Sequence, residues 1–188
     1  MSARVSFVST GILLCYLATT VLADQPVAAD PTQRDVSLEV TAAITRSPHF
    51  TIFDDVNATV RDGRVTLTGK VTNDSKRKEI AKRVASVAGV RDVRDDIEVF
   101  PWSTLDNGLR ERIGRAIYGN ASFWHYAMLP NPSIRIIVEG SHVTLRGVVR
   151  TDLDRTMAQA LAMQCAPLSV TNELKTDREV GDSYDGLY

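Results

Sequence analysis

The chain has 188 residues, with 22 Lys and Arg against 23 Asp and Glu, 44% hydrophobic and 24% charged. That composition excludes a disordered or fibrous chain. A formal net charge of −1 excludes a general nucleic-acid binder, which needs a basic excess to neutralise phosphates, and two Cys and three His leave little material for a disulfide scaffold or a multi-ligand metal site.

The N-terminus reads as an address. Arg4 is the only charge before Asp24, the stretch from Val5 to Val21 is largely apolar, and Val21-Leu22-Ala23 places small residues where a cut would fall. Residues 1–23 are therefore expected to be a secretory signal peptide. The competing reading, a membrane anchor, meets a segment at the short limit for a span. Cys15 follows Leu13-Leu14, a poor match to a lipoprotein site. Export leaves a chain from about Asp24 with Cys165 as its only cysteine, no internal disulfide and no transmembrane segment. Residues 24–34 are expected to be a flexible lead-in.

Beyond it the chain repeats itself. Val65-Thr66-Leu67-Thr68-Gly69-Lys70-Val71 returns as Val143-Thr144-Leu145-Arg146-Gly147-Val148-Val149, and Val93 to Ile97 returns as Val170 to Leu174. In each copy an amphipathic helix comes first, with Val36, Val40 and Ile44, then Leu105, Leu109, Ile113 and Ile117, at fourfold spacing. A hairpin follows. Val56, Ala58 and Val60 lead to Asp62-Gly63 and then Val65 and Leu67; Ile134, Ile136 and Val138 lead through Glu139-Gly140-Ser141 to Val143 and Leu145. A second helix, capped by Asp74 or Ser75 and by Asp152, carries Ile80, Val84 and Val87, then Leu161, Ala162 and Cys165. A last strand, parallel to its neighbour, closes each unit. The expected fold is α+β: two tandem α-β-β-α-β units, each a small mixed three-stranded sheet with two helices on one face. They span residues 35–100 and 105–177, with a linker at 101–104 and a loose tail at 178–188.

The V-x-L-x-G-x-V hairpin, the polar helix start and the exit strand resemble the BON domain, named from bacterial osmotic-shock and nodulation proteins. The first copy carries Val65, Leu67, Gly69, Val71, Gly89-Val90, Val93, Asp95 and Ile97; the second carries Val143, Leu145, Gly147, Val149, Val170, Asn172 and Leu174. One departure stands out. Ala166-Pro167-Leu168 replaces the Gly-Val turn, and neither Ala166 nor Pro167 takes a positive φ easily, so that turn is expected to be built differently. The scattered His49, His125 and His142 and the lack of a catalytic or phosphate-loop motif predict no metal, cofactor or catalytic residues, and the resemblance implies a non-enzymatic periplasmic module. It would bind an anionic phospholipid surface and serve envelope integrity under osmotic stress; the alternative is an adaptor binding an envelope protein.

Two basic helices are the candidates for such contacts. The second helix of the first copy carries Lys76, Lys78 and Lys82 with Arg77 and Arg83, and basic residues near an anionic leaflet contribute about 1 kcal/mol each. An ordinary solvated helix face is the competing reading, because residues 35–100 sum to zero charge. The first helix of the second copy carries Arg110, Arg112 and Arg115, followed by an aromatic stretch in which Trp124 is expected to be exposed between Phe123 and Tyr126. Cations beside Trp and Tyr suit a membrane interface or a partner interface; packing of a long loop is the competing reading. Trp102 is expected to wedge between the copies, and Asp54-Asp55 to be solvated.

Overall fold

The computed structural model describes residues 31–185, and side chains from 34 to 181. The signal peptide expected at 1–23 and the segment 24–30 lie outside the described residues. The first copy runs α1 (Pro31–Thr45), β1 (Asp55–Arg61), β2 (Arg64–Val71), α2 (Asp74–Ala85) and β3 (Asp92–Val99). The second runs α3 (Thr104–Tyr118), a 3-10 turn (Ala121–Phe123), α4 (Trp124–Ala127), β4 (Ile134–Glu139), β5 (His142–Val149), α5 (Asp152–Met163), β6 (Ser169–Thr176) and α6 (Asp177–Asp185).

Each sheet has its hairpin antiparallel and its last strand parallel to the middle one, in the orders β1-β2-β3 and β4-β5-β6. Alternation sends Val65, Leu67 and Val71, and likewise Val143, Leu145 and Val149, into the cores under the helices. There they meet Val40, Ile44, Ile80 and Val84 in the first unit and Leu109, Ile113, Ile117 and Ala162 in the second. Full burial of each such aliphatic contributes about 1.5–3 kcal/mol. The motif glycines have a steric cause. At Gly69 (φ 116°) a β-carbon would stand 2.1 Å from the Asp55 carbonyl oxygen, and at Gly147 (φ 118°) 1.9 Å from that of Ser133. Only a residue without a side chain lets the hairpin strands approach so closely.

Several boundaries differ from the expectation. The helix caps are Asn73 and Thr151, one residue earlier than read, and Thr151 with Asp154 forms a reciprocal box. Helix α1 begins at Pro31, inside the segment expected to be flexible. The tail opens as helix α6 because Thr176 and Glu179 cap each other: Glu179 N donates to Thr176 Oγ1 at 3.3 Å and Thr176 N to Glu179 Oε2 at 2.7 Å. Ala166 does adopt a positive φ, 56°. Its turn ends with Leu168 N donating to Ser141 O at 2.9 Å, the counterpart of Arg91 N on Gly63 O at 2.7 Å. Backbone bonding thus holds an alanine in a conformation that Gly89 (φ 87°) reaches without strain. Leu105 lies outside the core, and Trp102 is 87% exposed rather than wedged between the copies. Phe100 fills that role instead, buried beneath the Arg110 guanidinium at 4.8 Å.

The copies meet end to side. The loop before β1 crosses to the open edge of β4, where Ile136 N donates to Ile52 O at 2.7 Å. Phe53 and Ile52 lie against Gly114 of α3, whose β-carbon would stand 3.4 Å from Phe53 Cζ. Ion pairs close the rim: Arg146 with Asp55 at 2.6 Å and Lys70 with Glu139 at 2.8 Å. The guanidinium of Arg135 stacks 4.7 Å over Phe50 and donates to Thr51 O at 3.3 Å.

Candidate functional site

The seven sequence-selected cations and aromatics separate into different environments. Arg110 is 4% exposed. It donates to Asn107 Oδ1 at 2.6 Å and to the Val138 carbonyl, and burial lowers its pKa from the usual guanidinium value. Lys76 is equally withdrawn, donating at 2.7 Å to Asp54, which is fully buried. These two placements correct the surface role read from the sequence: both side chains are spent inside the molecule, Lys76 on Asp54 and Arg110 on Asn107 and the Val138 carbonyl. Asp54 is also not solvated. Its oxygens accept from Thr51 N and Oγ1 at 2.8 and 2.7 Å and from Thr72 N and Oγ1 at 2.9 and 3.0 Å. This bracing fixes the loop that carries Ile52 and Phe53 onto the second copy.

The basic run on α2 is largely neutralised within its own helix. Lys78 and Arg77 share Asp74, at 2.7 and 2.8 Å, and Arg83 pairs with Glu79 at 3.0 Å. Lys82 is exposed and has no carboxylate partner among the described residues. Glu79 has its pKa drawn down to about 2, first by His49, whose Nδ1 lies 2.7 Å away, and then by Arg83.

Helix α3 presents a different face. Arg112 and Arg115 are exposed, and among the described residues neither has a carboxylate partner. Arg115 stands on the rim of an open, mainly apolar pocket walled by Ile52, Phe53, Gly114, Tyr118, Ala127 and Pro132. Ala127 ends the one-turn α4 that begins at Trp124, and Trp124 is 63% exposed. Next in sequence, Met128 (73%) and Leu129 are exposed as well, whereas Phe123 and Tyr126 are buried. Tyr126 is anchored by donating to Asp154 Oδ2 at 2.9 Å and accepting from Arg150 N at 2.7 Å; burial pushes its pKa up to about 12. The aromatic stretch is thus half core and half surface. It is folded into short helical turns rather than the expected loop, with Asn120 capping the first.

Arg115 and Glu111 thus share a pocket rim with Ala127, the residue that ends the turn begun by the exposed indole of Trp124. The wall contributed by Ile52 and Phe53 comes from the first copy, and sequence reasoning missed it. Thr51 three residues before Asp54 was the available sign of a side-chain-braced turn. Among the described residues no group of three or more His, Cys, Asp or Glu is placed to hold a metal ion, and no helix is long and apolar enough to cross a membrane.

The fold is a pair of small α+β units, each a mixed three-stranded sheet with helices, joined through the loop before β1. The family model of the BON domain matches residues 33–101 and 106–178, and the chain belongs to the BON-domain family. No curated protein matches it in sequence. Among solved structures it is similar to CdsD, a structural protein of the type III secretion system of Chlamydia trachomatis, at 15% identity over 82% of this chain and 99% of that one, with a TM-score of 0.29. A structure of the CdsD C-terminal domain is similar at 16% identity over 82% of this chain and 70% of that one, with a TM-score of 0.31. Likeness at that level carries no functional argument.

Proposed function

We propose that the protein is an exported, non-enzymatic periplasmic module that docks on anionic phospholipid surfaces, in envelope integrity under osmotic stress. The observation that carries this reading is the exposed Arg115, without a carboxylate partner among the described residues, on the rim of the apolar pocket that Ala127, at the end of the turn begun by exposed Trp124, helps to wall. Cations without an internal ion pair lose none on meeting headgroups, and an indole suits the headgroup level. Lys78 and Lys82 belong to a secondary face in the first copy.

Co-sedimentation with neutral and with anionic vesicles at low and high salt tests it. Salt-sensitive binding to anionic vesicles alone is expected, because exposed charges are screened within about 8 Å at physiological ionic strength. Joint replacement Arg112→Gln, Arg115→Gln and Trp124→Ala should weaken it. Binding of that variant equal to wild type overturns the reading.

The second reading is an adaptor for an envelope protein; at the β4 edge Ile136 N already donates to a turn of the first copy, so a partner strand has the outer strands β3 and β6 instead. The β3 and β6 edges end the two sheets and offer similar ladders. Salt-resistant capture of a defined envelope protein, with no vesicle binding, would favour it.

A further inference from the structure

The turn of the first hairpin lies about 20 Å along the strands from the seam. Arg61 and Arg64 are register partners there, both exposed, and Arg64 has Asp92 as its neighbour on β3. Arg91 arrives from the loop before β3, tied by its backbone N–H to Gly63 O at 2.7 Å. Its side chain crosses Gly63, with Cγ 3.1 Å from where a β-carbon would stand. The three arginines line one polar basin with Thr59 and Thr66.

Among the described residues, none of the three is ion-paired, although Asp62 and Asp92 border the same basin. Like charges directly opposite on paired strands are destabilising. The fold does not require the cations. The matching places in the second copy hold Glu139, His142 and Leu168, with the same backbone bond closing the turn.

Guanidinium forks match phosphate oxygens in geometry as well as charge, and a dianion between Arg61 and Arg64 would offset their repulsion. The flanking carboxylates oppose a bare polyanion and can accept hydroxyl groups. We propose that this hairpin tip is a binding site for a phosphate ester that carries hydroxyls. Arg61 and Arg64 grip the phosphate, Arg91 closes on it, and Asp62 and Asp92 accept from the adjoining hydroxyls. A soluble polyol phosphate and a glycerophosphate lipid headgroup share that chemistry. The site is independent of the α3 face.

The test is an NMR titration of the chain with glycerol phosphate, beside co-sedimentation with phosphatidylglycerol vesicles. Saturable shifts at the Gly63 and Arg91 amides are expected. Joint Arg61→Gln, Arg64→Gln and Arg91→Gln should weaken binding by about tenfold or more, whereas Arg112→Gln with Arg115→Gln should leave those shifts unchanged. Loss of vesicle binding with the tip variant identifies the headgroup as source; loss of glycerol phosphate binding alone identifies a soluble ester. Tip amides unmoved by both probes, or a tip variant that binds both as wild type does, overturns the proposal. Circular dichroism checks folding, and single Arg64→Gln, read by the same amides, replaces the triple variant if that one is unfolded.

Discussion

Lys76→Met tests the buried pair that fixes the inter-copy loop. Asp54 has no exposed surface and accepts from the Lys76 ammonium at 2.7 Å. Removing one partner of such a pair leaves the other charge uncompensated in a poorly solvated site, at a cost of about 3–5 kcal/mol. Asp54 keeps its four hydrogen bonds from Thr51 and Thr72, which places the expected loss near the lower end, about 3 kcal/mol. For a chain of this size that corresponds to a fall in Tm of about 6–12 °C. Urea unfolding of wild type, Lys76→Met and Lys82→Met at low and high salt gives the comparison. The exposed Lys82 should change stability by no more than about 0.5 kcal/mol. The Lys76 effect should persist at high salt, because a buried pair is screened little. Adding Asp54→Asn should recover part of the loss, since the orphaned carboxylate is then gone. If Lys76→Met lies within about 0.5 kcal/mol of wild type, the pair does not hold the loop and the reasoning fails.

Other perturbations address separate features. Ala166→Gly should stabilise the second copy by about 0.5–1 kcal/mol by relieving a left-handed alanine, read as a rise in the urea midpoint. Gly147→Ala should cost about 3 kcal/mol or more, since its β-carbon would meet the Ser133 carbonyl at 1.9 Å; an unchanged Tm would contradict the close strand approach. Glu79 titrates near 2 in the folded chain against 4.5 ordinarily, so its folded pKa is depressed. Its contribution should be full above pH 4.5 and fade as pH falls toward 2; Glu79→Gln should flatten that acid limb in thermal scans across pH.

The repeat made the strand order and most of the core readable, because alternation in the hairpins and fourfold spacing in the helices depend on local sequence alone. Val65, Leu67, Ile80, Leu145 and Ile113 are all buried as read. Errors gathered where contacts are long-range. Lys76 and Arg110 looked like members of exposed basic runs, and nothing in their helices signals that Asp54 and the Val138 carbonyl face them across the fold. Trp102 was misplaced because its position in the linker suggested a wedge between the copies, whereas Phe100 two residues earlier occupies the seam. Helix α6 was legible in principle, since Thr176-Asp177-Arg178-Glu179 spells a reciprocal cap. Of the candidate face, exposed Trp124 was readable from its buried neighbours. The apolar wall beside Arg115 was not, because Ile52 and Phe53 are donated by the other copy.

The end-to-side seam gives the pair a direction. The second copy separated from the first would uncover the Ile136 edge amide and the bare patch over Gly114, both of which the neighbouring unit covers in the whole chain. The first copy separated from the second would keep its loop braced by Asp54, Thr72 and Lys76, all of them its own residues. The two homologous units are therefore unequal as fragments: the first carries its own fastening, while the second depends on its neighbour to close an adhesive strand edge.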